Sequence, residues 1–139
     1  MKKNMTGMVA GLALMLGMAT PMFAQYTGTM KVTVPFNFAV ENERLQAGDY
    51  TIEQVANGRL RIHSSDGRVS TVFLALPTQR KVALEQAHFI FHRYGSDYFL
   101  AKIWTPGLDT GWEVLQGKLE TEIAKNKTVR VETATLLGH

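Results

Sequence analysis

The chain is predicted to be mainly β: a small antiparallel sandwich or partly open barrel with one short C-terminal helix. Three observations carry this reading. Apolar residues alternate with other residues at period two from Met30 to Val40, as in a strand with one buried face. The tight-turn dipeptides Asn57-Gly58 and Asp66-Gly67 divide the following segments at close spacing. Leu115, Leu119 and Ile123 recur every four residues, the stripe of a helix.

The first segment has a different character. Lys2 and Lys3 precede an apolar run from Met5 to Ala19, and Thr20-Pro21 then breaks it before Ala24. This order is that of a secretory signal peptide over residues 1–24. Ala24 suits the position before the cut, whereas Met22 does not suit the small-residue position two before it. The competing reading is a retained anchor helix. The run is shorter than the ~20 apolar residues that span a bilayer, which favours cleavage. Cleavage removes Lys2 and Lys3, so the formal charge falls from +3 to +1. A protein so nearly neutral offers no basis for a nucleic-acid partner.

The expected working domain is a single β-rich unit over residues 25–126, followed at 127–139 by a C-terminal strand or a loose tail. Its first strand contains Pro35, which cannot donate to a ladder. That strand is therefore an edge strand or breaks in two. Glu41 to Arg44 forms a polar turn. Tyr50 to Val55 and Leu60 to His63 pair through Asn57-Gly58, with positive φ expected at both turn residues. Asp66-Gly67 leads into Val69 to Leu76, and Pro77 is expected to stop that strand.

Val82 to Tyr94 reads as a further strand. Phe89 and Phe91 lie on one face, and His88, Ile90, His92 and Tyr94 on the other. Gly95-Ser96-Asp97 turns into Tyr98 to Trp104, which is apolar on both faces. Thr110 and Glu113 have capping-box spacing. Gly117 would weaken a helix interior, so the helix is placed at about Gly117 to Lys125. Thr128 to Thr135 alternates weakly.

Val34-Pro35-Phe36-Asn37-Phe38, with Leu45-Gln46-Ala47-Gly48-Asp49-Tyr50-Thr51-Ile52, resembles a "VPF-F … L-AG-Y-V" opening. Phe91-His92-Arg93-Tyr94-Gly95 with Tyr98-Phe99-Leu100 resembles an "F-HRYG … YFL" centre. Ile103-Trp104-Thr105, then Gly111 and Glu113, resembles a "W … G-E" close. In this order, from Lys31 to Lys125, the chain resembles a group of small secreted proteins of unknown function common in acidobacteria and related soil bacteria. The resemblance implies export and a compact β-rich domain. It brings no activity, cofactor or partner.

The chain has no cysteine, which excludes a disulfide scaffold, a thiol nucleophile and Cys-ligated zinc. No P-loop, dinucleotide fingerprint, zinc-protease motif or nucleophile elbow is present. No catalytic residue, metal ligand or cofactor is therefore assigned. His88 and His92 share a strand face but lie about 13 Å apart at ~3.3 Å per residue, too far to ligate one metal. They are expected to be partly exposed and hydrogen-bonded across the sheet. Arg93 points away from His92 and Tyr94, and is expected to be stacked or ion-paired. Glu41 and Glu43, and Glu120 and Glu122, are expected on solvated faces. Arg59 and Arg61 share a strand face, either a small patch for an anionic partner or a solubilising edge.

Tyr98, Trp104 and Trp112, with His92, are the candidate ligand-binding residues, since aromatic faces stack on flat ligands. Three functions follow. The first is a non-catalytic envelope or secreted interaction protein. It would contact a partner protein through a sheet edge at Lys31–Val40 or near Arg59–His63. The second is a carrier of a small apolar, aromatic or sugar ligand in an aromatic pocket. The third is an enzyme using His92 or His88. The expected location is periplasmic or extracellular, and the mature chain is not expected to span a membrane. An outer-membrane barrel would need longer strands with an apolar outer belt.

Overall fold

In a computed structural model the described residues are 29–126 and 130–139. The signal segment at 1–24 and the expected strand start at Thr128 lie outside them. Among these residues ten strands run in chain order. They are β1 Met30–Val34, β2 Phe38–Val40, β3 Glu43–Leu45, β4 Gly48–Ala56, β5 Arg59–Ser64, β6 Ser70–Gln79, β7 His88–Tyr94, β8 Asp97–Trp104, β9 Thr110–Val114 and β10 Val131–Leu137. A helix, α1, spans Lys118–Ala124 between β9 and β10. The fold is mainly β with one short C-terminal helix, as predicted.

The strands form one open sheet in the order β1-β4-β5-β6-β9-β8-β2-β3, and β7 joins β8 to β10. All pairings are antiparallel except β2 with β8. The sheet coils until its ends meet at one corner, where the His139 N–H donates to the Lys31 carbonyl at 3.0 Å. The inner face packs the main core. Val32, Val34, Ile52, Leu60, Ile62, Phe73, Phe89, Phe91 and Ile103 are all nearly or fully buried there. Removing one of the large side chains would cost ~3–5 kcal/mol.

The predicted break at Pro35 occurs, and β1 and β2 fall on either side of it. Pro77 does not stop β6, which continues to Gln79. The reason is pairing. Residues 70–74 of β6 pair with β5, and 75–79 pair with β9. Pro77 therefore sits where the strand is paired on one side, and its missing N–H leaves no bond unmade. Residues 82–87 are not strand, and Val82 is largely exposed. That stretch joins no ladder; the Leu84 and Ala87 carbonyls accept single bonds from the Gly107 and Gly138 N–H groups. Thr110 and Glu113, which have capping-box spacing, lie in β9.

The β4–β5 turn also departs from expectation. Gly58 takes φ 73°, but Glu41 is the one non-glycine residue with positive φ among those described, so Asn57 does not share the left-handed geometry. A register shift between Gln54 and Ala56 accompanies the turn. A bulge of this kind adds local twist, which a turn with one left-handed residue does not supply alone.

Helix α1 lies on the outer face, over Ala39, Tyr94 and Phe99, to which Leu119 and Ile123 are packed. Of the predicted helical stripe, Leu119 and Ile123 make this contact, whereas Leu115 precedes the helix and is exposed. Gly117 begins the helix without a side-chain cap of its own. The cap comes from Asn42 in the β2–β3 turn, whose Oδ1 accepts the Leu119 N–H at 3.1 Å. Next to it Glu41, at φ 53°, accepts the Leu74 N–H on Oε1 at 2.7 Å. A left-handed non-glycine costs roughly 1–2 kcal/mol, which a hydrogen bond to a charged group offsets.

Candidate functional site

Tyr98, Trp104, Trp112 and His92 do not converge. Tyr98 points inward at one end of β8 and stacks on Phe36, ring centroids 3.7 Å apart and 12° from parallel. Trp104 closes the other end of β8, roughly 20 Å away at ~3.3 Å per residue. It follows the inward-facing Ile103, so it points outward. Its indole lies over Gly111, and the Arg80 guanidinium stands 5.1 Å from the ring centre. A Cβ at Gly111 would come within 2.6 Å of Trp104 Cε3. This close approach is what lets the indole lie flat on β9. Trp112 pairs with Ile103 and packs inward against the core.

Trp112 does border a cavity. A space of about 320 Å³ at the mouth of the coiled sheet is walled by Met30, Leu60, Pro77, Leu108 and Trp112, with Gln54, Thr105 and Thr110 supplying polar groups. A second, more open hollow of about 530 Å³ lies between the β3–β4 connection and the β5–β6 turn, beside Arg44, Asp49, Tyr50, Asp66 and Arg68. Its polar groups are largely used by the turn itself. Ser64 Oγ donates to Asp66 Oδ1 at 2.6 Å, and the Arg68 N–H donates to the same oxygen at 3.0 Å. These bonds, the Ser64 one first, hold the Asp66 carboxyl below its ordinary range. Burial, then the Asp66 charge, push the Tyr50 hydroxyl up, although it donates to the Gln46 carbonyl at 2.6 Å.

His92 belongs to a polar cluster that local sequence did not reveal. Glu120 is on the helix, yet its side chain is buried at 6% exposure, not on a solvated face. The reason is the helix orientation. The turn that packs Leu119 and Ile123 on Phe99 also aims Glu120 at the sheet. Its Oε2 accepts the Tyr94 hydroxyl at 2.9 Å and lies 2.8 Å from His92 Nδ1. A carboxylate only accepts, so Nδ1 is the protonated ring nitrogen in this arrangement. Burial, followed by the bond and the charge of Glu120, pushes the Tyr94 hydroxyl up to about 12. None of the cavities described above is lined by these three residues. Chemically the cluster is a clasp between helix and sheet.

The remaining residues of that motif divide by face. Arg93 stacks over Tyr98 at 5.5 Å and donates through Nε to the Gly95 carbonyl, as its side of the strand predicted. His88 Nδ1 lies 2.9 Å from the Gln86 carbonyl oxygen.

The outer face of β6 is the second feature missed in the sequence. Val72, Leu74 and Leu76 are 54%, 45% and 56% exposed, and Leu115 beside Leu74 is 37% exposed. Phe73 and Ala75 fill the inner face of the same strand. The signal was present, since residues 72–76 are apolar in both phases of the alternation. Such a strand is covered on both sides or exposes an apolar row. Arg59 and Arg61 border this row from β5, opposite Leu74 and Val72. They are therefore interior to the sheet and do not form an edge. β1 does end the sheet path, with β10 touching it at one corner.

The fold defines a mainly β domain with an open, coiled sheet and one outer helix. No protein-family model, no curated protein and no solved structure matches the chain. No helix among the described residues is long and apolar enough to cross a membrane.

Proposed function

We propose that this chain is an exported, non-catalytic β-domain that works by binding a protein through the outer face of β6. The observation that carries the reading is the row Val72, Leu74 and Leu76, extended by Leu115. Single exposed apolar residues are ordinary on a protein surface, whereas the largest contiguous apolar patch is often a functional contact surface. Burying one such side chain fully is worth about 1.5–3 kcal/mol. The leader-like order of Lys2, Lys3, the apolar run and Ala24 supports export. The test is site-specific photo-crosslinking in producing cells, with the crosslinker at Leu74 or, as control, at exposed Thr133. A protein adduct from position 74 that disappears in Leu76→Asp supports the reading. Equal labelling from both positions, or none from either, defeats it.

A second reading has its own observation. The cavity beside Trp112 mixes apolar walls with Gln54, Thr105 and Thr110 and is near the lower size limit of small-molecule sites. A carrier of a small apolar ring would place it there. In a Trp104→Phe variant the remaining indole reports on that cavity. Saturable quenching by a small aromatic compound supports this reading, and no change up to millimolar compound removes it. A His-dependent enzyme would rest on His92 and Glu120, whose geometry we read as the helix clasp.

A further inference from the structure

We infer that the β6 face binds a second copy of this chain, about a two-fold axis running along the strand. The inference rests on the reading of this face as a protein-binding surface. Its carrier is the charge pattern beside the apolar row. On the β5 side Arg59 lies opposite Leu74; on the β9 side Glu113 lies opposite Leu76. Both are exposed, and neither makes an ion pair with any described residue. Arg61, the other cation on the β5 side, is engaged by Glu53 at 3.5 Å. Lys102 is the cross-strand neighbour of Glu113, but the two make no ion pair. The face therefore has an apolar centre, the cation Arg59 on one flank and, on the other, the anion Glu113 together with Glu41, whose Oε1 accepts the Leu74 N–H at 2.7 Å.

That pattern is self-complementary under one operation. A two-fold axis along β6 turns one copy face-down and lays its β5 flank over the partner's β9 flank. Arg59 then stands over the level of Leu115, two residues along from Glu113. That offset is about 7 Å at ~3.3 Å per residue, within reach of two long side chains. The same pair forms twice, as an isologous contact requires. An axis across the strands would instead lay β5 on β5 and β9 on β9, which brings Arg59 no anion from the β9 flank. The accepted geometry keeps the two β6 strands aligned, with contact confined to β6 and its flanks because α1 occupies the same outer face over Phe99 of β8.

The test is sedimentation of the purified chain over a wide concentration range. The expected result is a concentration-dependent dimer that Leu74→Glu abolishes. Arg59→Glu and Glu113→Arg should each weaken it by about tenfold or more, because like charges then face each other. The double variant Arg59→Glu/Glu113→Arg should recover the original association. This recovery also shows that the single variants did not simply unfold. A chain that stays monomeric throughout overturns the inference, as does a dimer that persists in Leu74→Glu or a double variant that does not recover. The crosslink at position 74 separates the two levels. A monomeric chain that crosslinks there to a different protein keeps the face as a binding surface and rejects only the second copy.

Discussion

Asn42 Oδ1 accepts the backbone N–H of Leu119 at 3.1 Å, so a turn between two short strands caps a helix 77 residues later. Asn42→Ala is expected to destabilise the fold by about 1 kcal/mol, the usual worth of an N-cap. Asn42→Asp keeps the acceptor and should lose little. Gly117→Ala is expected to cost more than Asn42→Ala. Its new Cβ would lie 2.7 Å from Asn42 Oδ1 and 2.9 Å from the Glu41 carbonyl carbon. Urea unfolding of the three variants checks the order.

Glu120 holds Tyr94 and His92 against the helix, so its truncation leaves two polar groups of the sheet without their partner. Glu120→Ala is expected to cost about 1–3 kcal/mol. Glu122→Ala, on the exposed side of the same helix, should change stability by less than about 0.5 kcal/mol. A matched pair of thermal melts distinguishes the clasp from a solvated face.

The same clasp implies an alkaline limit. The Tyr94 hydroxyl is raised from its ordinary 10.0 to about 12 by burial and by Glu120. The folded state therefore holds this proton more tightly than the unfolded chain does. Its contribution to stability is complete below the ordinary tyrosine range. It is lost as the pH rises from 10.0 through about 12. Tyr94→Phe should be less stable than the parent at neutral pH, yet lose less stability over that alkaline interval. Denaturant titrations on either side of the interval measure both effects.

Gly111 is where the Trp104 ring meets β9. Gly111→Ala would drive a methyl group into the Ile103 carbonyl and the indole edge. Overpacking of this kind costs ~1–3 kcal/mol. The variant is expected to shift tryptophan emission to the red as Trp104 lifts from its seat under Arg80. An unchanged spectrum at unchanged stability contradicts the close packing.

Much of the strand framework was legible in local pattern. Alternation placed Met30 to Val40 and set Phe89 and Phe91 opposite His92 and Tyr94, because a strand's period of two is a property of the chain alone. The break at Pro35 and the helix near Gly117 to Lys125 followed from residue chemistry at single positions. Other features depended on pairing partners far along the chain. Pro77 is tolerated because β9 occupies one side of β6 there and β5 does not pair with that stretch. Glu120 is buried because packing on Phe99, not its own charge, sets which helix face meets the sheet. The β6 row is exposed because α1 covers the surface around Ala39, Tyr94 and Phe99 and leaves Val72, Leu74 and Leu76 open. Local sequence determined where strands and turns form, since those depend on backbone sterics and side-chain period. Tertiary structure alone decided which side chains meet, since that depends on how the sheet coils and on which face receives the helix.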